Sequence, residues 1–153
     1  MIKSKFKVYL DSSVISALYD SRNPDRKALT EEFFNQINNF DVFISEINIQ
    51  EIERTNNIKL KTKMKNLISG FHQLLLNDEI DHLAKEYISY GAIPETYSED
   101  AYHIAVSVIN ELDYLLSWNF KHFIRRRTRE IVKMINTLNN LKQIEIITPA
   151  ELL

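Results

Sequence analysis

The sequence predicts an α/β fold, namely a single-domain α/β/α sandwich around a central, mostly parallel sheet of five strands. Short apolar segments of strand length alternate along the chain with longer segments of helical periodicity. Strands separated by helices pair in parallel and are covered by helices on both faces. The chain has only 2 Gly and 3 Pro in 153 residues, so no flexible linker divides it, and residues 1–153 form one predicted domain.

The predicted strands are short, and most are uniformly apolar. In the first, apolar residues occupy every second position from Phe6 to Leu10, and the strand ends at Asp11. The others have no polar interruption or only one, which is typical of strands buried on both faces. The predicted strands comprise residues 6–10, 42–44, 74–76, 114–116 and 144–147.

The helices are predicted from apolar periodicity and from residues that start helices. These starting signals are Ser12 and Ser13 for a short helix to about Tyr19, Pro24 and Asp25 for the second helix, Ser45 for the helix carrying Glu51, and Ser98 for the helix beginning near Asp100. The last helix is predicted to be anchored by Ile131, Met134, Ile135 and Leu138.

The composition is that of an ordinary globular protein. The hydrophobic fraction is 44%, the charged fraction is 26%, and the formal net charge is −2. The absence of cysteine excludes disulfides and thiolate metal sites. No stretch has the pattern of a signal peptide or the length of a membrane span, so we expect a cytoplasmic protein with no membrane partner.

Three acids and an amide are predicted to meet at one edge of the sheet. Asp11 ends the first strand and Asn119 lies just past the fourth, while Asp100 starts a helix and Glu51 lies within one. In parallel sheets, ligands bind beyond the carboxyl ends of the strands. Carboxylate and amide oxygens suit a hard divalent cation such as Mg²⁺. The residues alone therefore indicate an acidic pocket of this kind.

Each of these side chains also has an ordinary structural interpretation. Asp11 would then be a turn or cap residue, Glu51 a solvated helix residue, and Asp100 an acid that stabilises the helix dipole. The 4 histidines show no zinc-ligand spacing. We interpret His103, which shares a helix face with Asp100, as a partly buried packing residue, and His122 likewise as a packing residue.

Four segments, in order along nearly the whole chain, resemble one known family. They are VYLDSSVISALYD (8–20), ISEINIQEI (44–52), SEDAYHIAVSVINELDYLLSWNFKHF (98–123) and IEIITPAEL (144–152). Each is similar to the corresponding part of the PIN-domain family of ribonucleases, of the VapC-like toxin type. The resemblance implies an α/β/α sandwich and cleavage of RNA that depends on Mg²⁺ or Mn²⁺.

The resemblance also implies the roles of individual residues. Residue by residue, the metal ligands would be Asp11, Glu51 and Asp100, with Asn119 at a fourth catalytic position where many members have Asp. Ser13 and Ser117 match small polar positions beside the acids, and we expect them to hydrogen-bond there. Implied partners are an RNA substrate, a small antitoxin protein and a second copy of the chain in a homodimer.

Of two other function classes, a non-cleaving binding module remains open and a phosphatase is disfavoured. A PIN-like module that binds RNA or a protein without cutting is favoured by the neutral Asn119. A phosphatase of the haloacid-dehalogenase type would require Asp-x-Asp after the first strand, and Asp11-Ser12-Ser13 lacks the second Asp.

A basic segment follows the fourth strand. It holds a single acid, Glu130, and its cations include Lys121, Arg125, Arg126, Arg127 and Arg129. The ordinary interpretation is a solvated loop and helix start. Because an acidic pocket repels a polyanion, nearby positive charge is needed to bring RNA to it. We therefore expect these residues to bind RNA.

Overall fold

The computed structural model describes residues 4–153. Five strands lie in one sheet, and they are β1 (Phe6–Leu10), β2 (Phe40–Ser45), β3 (His72–Leu74), β4 (Tyr114–Leu116) and β5 (Glu145–Ile147). The order across the sheet is β3-β2-β1-β4-β5, and every neighbouring pair is parallel. This confirms the predicted α/β architecture with its parallel central sheet.

Helices connect the strands and cover both faces of the sheet. They are α1 (Ser12–Ala17), α2 (Pro24–Asn35), α3 (Glu46–Glu53), α4 (Ile58–Ile68), α5 (Asp78–Ser89), α6 (Ser98–Ile109) and α7 (Arg126–Leu138). Alternate residues of β1 face opposite sides: Val8 and Leu10 pack into a core with α1, α2 and α4, whereas Tyr9 packs into a core with α5, α6 and α7. No helix formed by residues 4–153 combines the length and the apolar character that crossing a bilayer requires.

The pairing of β1 with β4 positions the functional edge of the sheet. Leu10 lies opposite Leu116, so the residues that follow them emerge side by side. The amide of Asp11 donates to the carbonyl oxygen of Leu116 at 3.0 Å and extends this alignment past the strand ends. Strand order changes direction between β1 and β4, which is where open parallel sheets have a crevice for ligands.

Several predicted boundaries are wrong. β3 lies two residues before its predicted place, because Leu75 is exposed and the amide of Leu76 donates to Glu46 instead of continuing the sheet. The cap of α1 is Asp11 rather than a serine, since its carboxylate accepts from the amide of Ser13. Ser98 is the first residue of α6 and not its cap.

Two other predictions concern helix starts and packing. Ser45 caps α3 as predicted, within a reciprocal capping box that includes Asn48. In α7, Ile135 is buried, but Met134 and Leu138 are exposed, so they do not anchor the helix. Val132 and Ile135 supply its buried apolar face instead.

Candidate active site at the carboxyl edge of the sheet

Asp11 is the most firmly held of the predicted acids. Its Oδ2 accepts hydrogen bonds from Ser13 Oγ at 2.6 Å and from Ser117 Oγ at 2.9 Å. Ser13 lies in the first turn of α1 and Ser117 follows β4, so two separate elements fix one carboxylate oxygen. The side chain is 5% exposed. Both serines thus lie beside the acid, where the sequence led us to expect hydrogen bonds.

Glu51 is held in place by a hydrogen bond to a buried histidine. His103, on α6, places Nε2 2.6 Å from Glu51 Oε1 and 3.7 Å from Asp11 Oδ1. The same Glu51 oxygen accepts from Ser12 Oγ at 3.0 Å. His103 is fully buried. One imidazole therefore faces two of the three acids.

The other nitrogen of His103 joins a polar network beneath the site. Nδ1 lies 2.6 Å from the hydroxyl of Tyr9, which donates to Asn48 Oδ1 at 3.0 Å. The amide group of Asn48 in turn donates to the Leu10 carbonyl and to Ser12 Oγ. The network links β1, α1, α3 and α6, so it sets the positions of the elements that carry the acids.

Asp100 and Asn119 are joined by the second histidine. His122 Nδ1 donates to Asp100 Oδ2 at 2.8 Å, and the amide of His122 donates to Asn119 Oδ1 at 3.0 Å. Asn119 thereby caps a π-helical turn, Phe120–Ile124. The Nε2 atom of His122 is buried and has no hydrogen-bond partner among residues 4–153.

The electrostatics of the site differ among the acids. Burial and then the charge of Asp11 raise the pKa of the Asp100 carboxyl from its usual 3.8 to about 6. Burial also opposes ionisation of Glu51, but the hydrogen bond and charge of His103 outweigh it and lower the pKa of Glu51. For His103, burial lowers the pKa, yet the Glu51 hydrogen bond and the surrounding carboxylates raise it overall.

The donor set suits a hard cation. Hydrogen bonds within residues 4–153 use one oxygen of each acid, and none reaches Asp11 Oδ1, Glu51 Oε2 or Asp100 Oδ1. Carboxylate oxygens are the preferred ligands of Mg²⁺ and Mn²⁺. As these side chains stand, no three His, Asp or Glu groups in this part of the chain surround one point. Glu51 and Asp100 are each hydrogen-bonded to a histidine instead.

The basic segment is divided between structural and exposed arginines. The Arg125 guanidinium donates to Thr128 Oγ1 at 2.7 Å and to the Ala92 carbonyl at 3.2 Å, so it ties the start of α7 to the end of α5. Lys121, Arg126, Arg127 and Arg129 are exposed. Arg126 pairs with Glu130 on the same helix.

Sequence analysis proposed the acids but did not predict the hydrogen bonds that two histidines make with them. His103 and His122 are buried, as their interpretation as packing residues requires, but each also makes a hydrogen bond with one of the predicted acids. The available signal was the position of His103 three residues after Asp100, on the same helix face. The hydrogen-bond partners of His103, which are Glu51 and Tyr9, are 52 and 94 residues away in sequence.

The fold and the site define a class: a parallel α/β/α domain with an acidic, histidine-supported site at the carboxyl edge of its sheet. The family model described as PIN domain matches residues 8–126, which include the last three residues of β1 and all four predicted site residues. The chain belongs to the PIN-domain family. None of the curated proteins matches it in sequence.

Solved structures with the same fold include proteins from three bacteria. FitAcB from Neisseria gonorrhoeae is 16% identical, with a TM-score of 0.56, over 93% of this chain and 97% of that one. VapBC2 from Rickettsia felis, bound to a DNA fragment from their promoter, is 11% identical, with a TM-score of 0.59, over 92% and 98%. VapC20 from Mycobacterium tuberculosis, a toxin that cleaves the sarcin–ricin loop, is 15% identical, with a TM-score of 0.56, over 75% and 92%.

Proposed function

We propose that this protein is a divalent-metal-dependent endoribonuclease and the toxin of a toxin–antitoxin pair. The observation that carries the proposal is the set of three acids at the β1–β4 crevice, each with one carboxylate oxygen that accepts no hydrogen bond within residues 4–153. The fold shared with VapC20, described as a loop-cleaving toxin, supports RNA as the substrate. An antitoxin partner is proposed on the similarity to FitAcB and VapBC2, and a homodimer on membership of the PIN-domain family.

The acids and the serines beside them have different roles in the proposed site. Asp11, Glu51 and Asp100 would hold Mg²⁺ or Mn²⁺. The bound cation supplies Lewis-acid stabilisation of the phosphoryl oxygens and lowers the pKa of the attacking water. Ser13 and Ser117 keep Asp11 oriented through their hydrogen bonds.

The fourth position and the histidines orient the remaining groups. Asn119 lies beside the acids as a neutral amide, and its contact with the amide of His122 fixes the turn after β4. His103 holds Glu51 in place. Hydrolysis then needs no protein nucleophile, since water attacks phosphorus directly.

A non-cleaving module that binds RNA or protein is the second candidate. It is favoured by Asn119, which adds no charge to the site and uses its oxygen to cap the following turn. A single measurement distinguishes the two candidate functions, because only the ribonuclease produces RNA fragments.

RNA cleavage is expected with Mg²⁺ or Mn²⁺ and is expected to stop when a chelator is in excess. The reason is that a cluster of buried carboxylates repels a phosphate unless a cation neutralises it. Fragments are followed on denaturing gels with a labelled RNA. An Asp11→Asn protein purified in parallel controls for contaminating nuclease. Cleavage that persists in chelator with wild-type protein, and is absent from the control, would exclude the metal-dependent mechanism.

The exposed arginines are expected to contribute to RNA affinity through charge. Changing Arg126, Arg127 and Arg129 together to Ala should weaken binding to all RNA sequences and reduce the log–log salt slope by roughly one unit per lost phosphate contact. Binding is measured by anisotropy between low and high salt.

Arg125→Ala is the comparison variant, because its guanidinium supports the fold. It should lower the melting temperature more than the triple variant does, since it removes hydrogen bonds to Thr128 and the Ala92 carbonyl. A triple variant with the wild-type salt slope would show that these arginines do not contact RNA.

A further inference from the structure

A second concave surface lies beside the proposed active site. It is lined by the start of α2 and by the residues that flank Asn119, and we call it the aromatic–arginine pocket: Arg26, Leu29, Trp118 and Phe120, with residues 22–25 at its rim. Its volume is about 360 Å³, within the range of roughly 300–1,000 Å³ that is typical of small-ligand sites. The mechanism proposed above does not use it.

The pocket is rigidly connected to the acids. The amide of Trp118 donates to Ser13 Oγ at 2.9 Å, and that hydroxyl donates to Asp11 Oδ2 at 2.6 Å. On its other side, the indole Nε1 of Trp118 donates to Thr30 Oγ1 at 2.9 Å. Trp118 is therefore fixed between Asp11 and α2, and a single side chain, Ser13, links the backbone of this pocket residue to a proposed metal ligand.

The positive charge of the pocket is the Arg26 guanidinium, which packs against two aromatic rings. The Arg26 guanidinium carbon lies 5.3 Å from the centroid of the Trp118 ring and 5.8 Å from that of Phe120. These are cation–π distances. Within residues 4–153, Arg26 has no carboxylate within salt-bridge distance, whereas Arg22 at the rim is paired with Asp20. The Arg26 charge is thus available to an anion.

Phe120 gives the pocket a stacking surface. Its side chain is 52% exposed although it follows a buried segment of the chain. An exposed ring beside an unpaired guanidinium matches the chemistry of a nucleotide, which has a flat base and an anionic phosphate.

We propose that the aromatic–arginine pocket binds one nucleotide of the RNA next to the scissile phosphate, with its base stacked on Phe120 and its phosphate paired with Arg26. This inference rests on the proposed ribonuclease function and adds a substrate subsite to it. The stacking surface favours unpaired nucleotides, because the faces of paired bases are covered by their neighbours.

Trp118 provides a direct measurement, since it is the only Trp of the sequence. Short single-stranded RNA is titrated into the protein, first in chelator and then in Mg²⁺, while Trp118 emission is recorded. The same RNA with abasic sites is the matched ligand. The intact RNA should change Trp118 emission at saturation, and the abasic RNA should change it much less.

Phe120→Leu removes the ring and keeps an apolar side chain. It should weaken RNA binding on the order of tenfold and raise KM without lowering kcat, while Phe120→Tyr should restore both. The control is Phe6→Leu. Phe6 is 55% exposed and is the first residue of β1, so it lies at the amino end of the strand, away from the proposed site at the carboxyl end. Arg26→Ala should reduce the salt slope by about one unit.

The outcomes separate this inference from the proposed function. If the wild-type protein cleaves RNA but Phe120→Leu and Phe6→Leu bind RNA equally well, the subsite is overturned and the ribonuclease function stands. A protein that neither binds nor cleaves RNA would overturn both. If Phe120→Leu leaves RNA binding unchanged but releases a co-expressed protein, the pocket docks a protein partner and the subsite is overturned.

Discussion

Asp11→Asn and Asp100→Asn are each expected to abolish RNA cleavage while leaving the fold intact. The amide keeps the shape of the carboxylate and can still accept from Ser13 and Ser117 at position 11, or from His122 at position 100. It removes the negative charge that a divalent cation requires. We expect a loss of at least about a thousandfold in kcat, which corresponds to roughly 4 kcal/mol in activation free energy.

The same Asp100→Asn change is expected to raise stability in metal-free buffer at neutral pH. Burial and the charge of Asp11 raise the pKa of Asp100 to about 6, above the usual 3.8. The folded protein therefore binds this proton more tightly than the unfolded chain, and wild-type stability falls as pH rises from about 4 to about 6. The neutral variant avoids that loss and should gain up to about 3 kcal/mol at pH 7.

Asp113→Asn is the matched control for the stability effect. Asp113 accepts from Lys142 Nζ at 2.9 Å and from the amide of Lys7, and its pKa is lowered although burial alone would raise it. The same substitution there should destabilise the protein at pH 7. Melting curves in chelator at low and neutral pH compare the two variants. Asp100→Asn that cleaves RNA at the wild-type rate would place the site elsewhere.

How well the sequence predicts the fold depends on where each element lies. β4 has the predicted bounds, Tyr114–Leu116, because it is a central strand whose run of apolar residues ends sharply. β3 is an edge strand that contacts only β2, and its His72 and Gln73 are exposed and polar. The prediction placed this strand two residues too late because Leu75 is apolar, although Leu75 is 73% exposed.

The candidate site divides in the same way. The position of Asp11 could be predicted because parallel topology brings strand ends to one edge, and Asp11 and Ser117 lie at neighbouring strand ends. Glu51 and Asp100 lie on helices, and their proposed roles came from the family resemblance. The hydrogen bonds of the histidines could not be predicted, because their partners are distant in sequence. His103 occupies a buried position of α6 between apolar neighbours, and periodicity does not distinguish a packed side chain there from one that holds Glu51.

The second large effect is expected at His103. His103→Leu should lower the free energy of unfolding by about 2–4 kcal/mol, because the partner carboxylate loses its cation while it stays largely buried. The Glu51 side chain is 27% exposed, so solvent screens part of this cost. RNA cleavage should be lost as well, since the variant no longer fixes Glu51.

Two further variants separate the causes of this effect. His103→Gln keeps a donor toward Glu51 and should recover part of the stability. His82→Leu is the control, because His82 is exposed on α5, and a surface change of this kind costs within about 0.5 kcal/mol.

The pH dependence identifies the ion pair as the source of the stability. Burial lowers the pKa of His103, but the hydrogen bond to Glu51 and the charges of Asp11, Glu51 and Asp100 raise it above 6.5 overall. A histidine with a raised folded pKa contributes stability that is fully present below about pH 6.5 and is lost as pH rises through the folded value. The stability difference between wild type and His103→Gln should therefore be largest near pH 6 and shrink at alkaline pH. Chemical denaturation in chelator at several pH values measures it, and a difference that is constant with pH would show that His103 acts through packing and not through its charge.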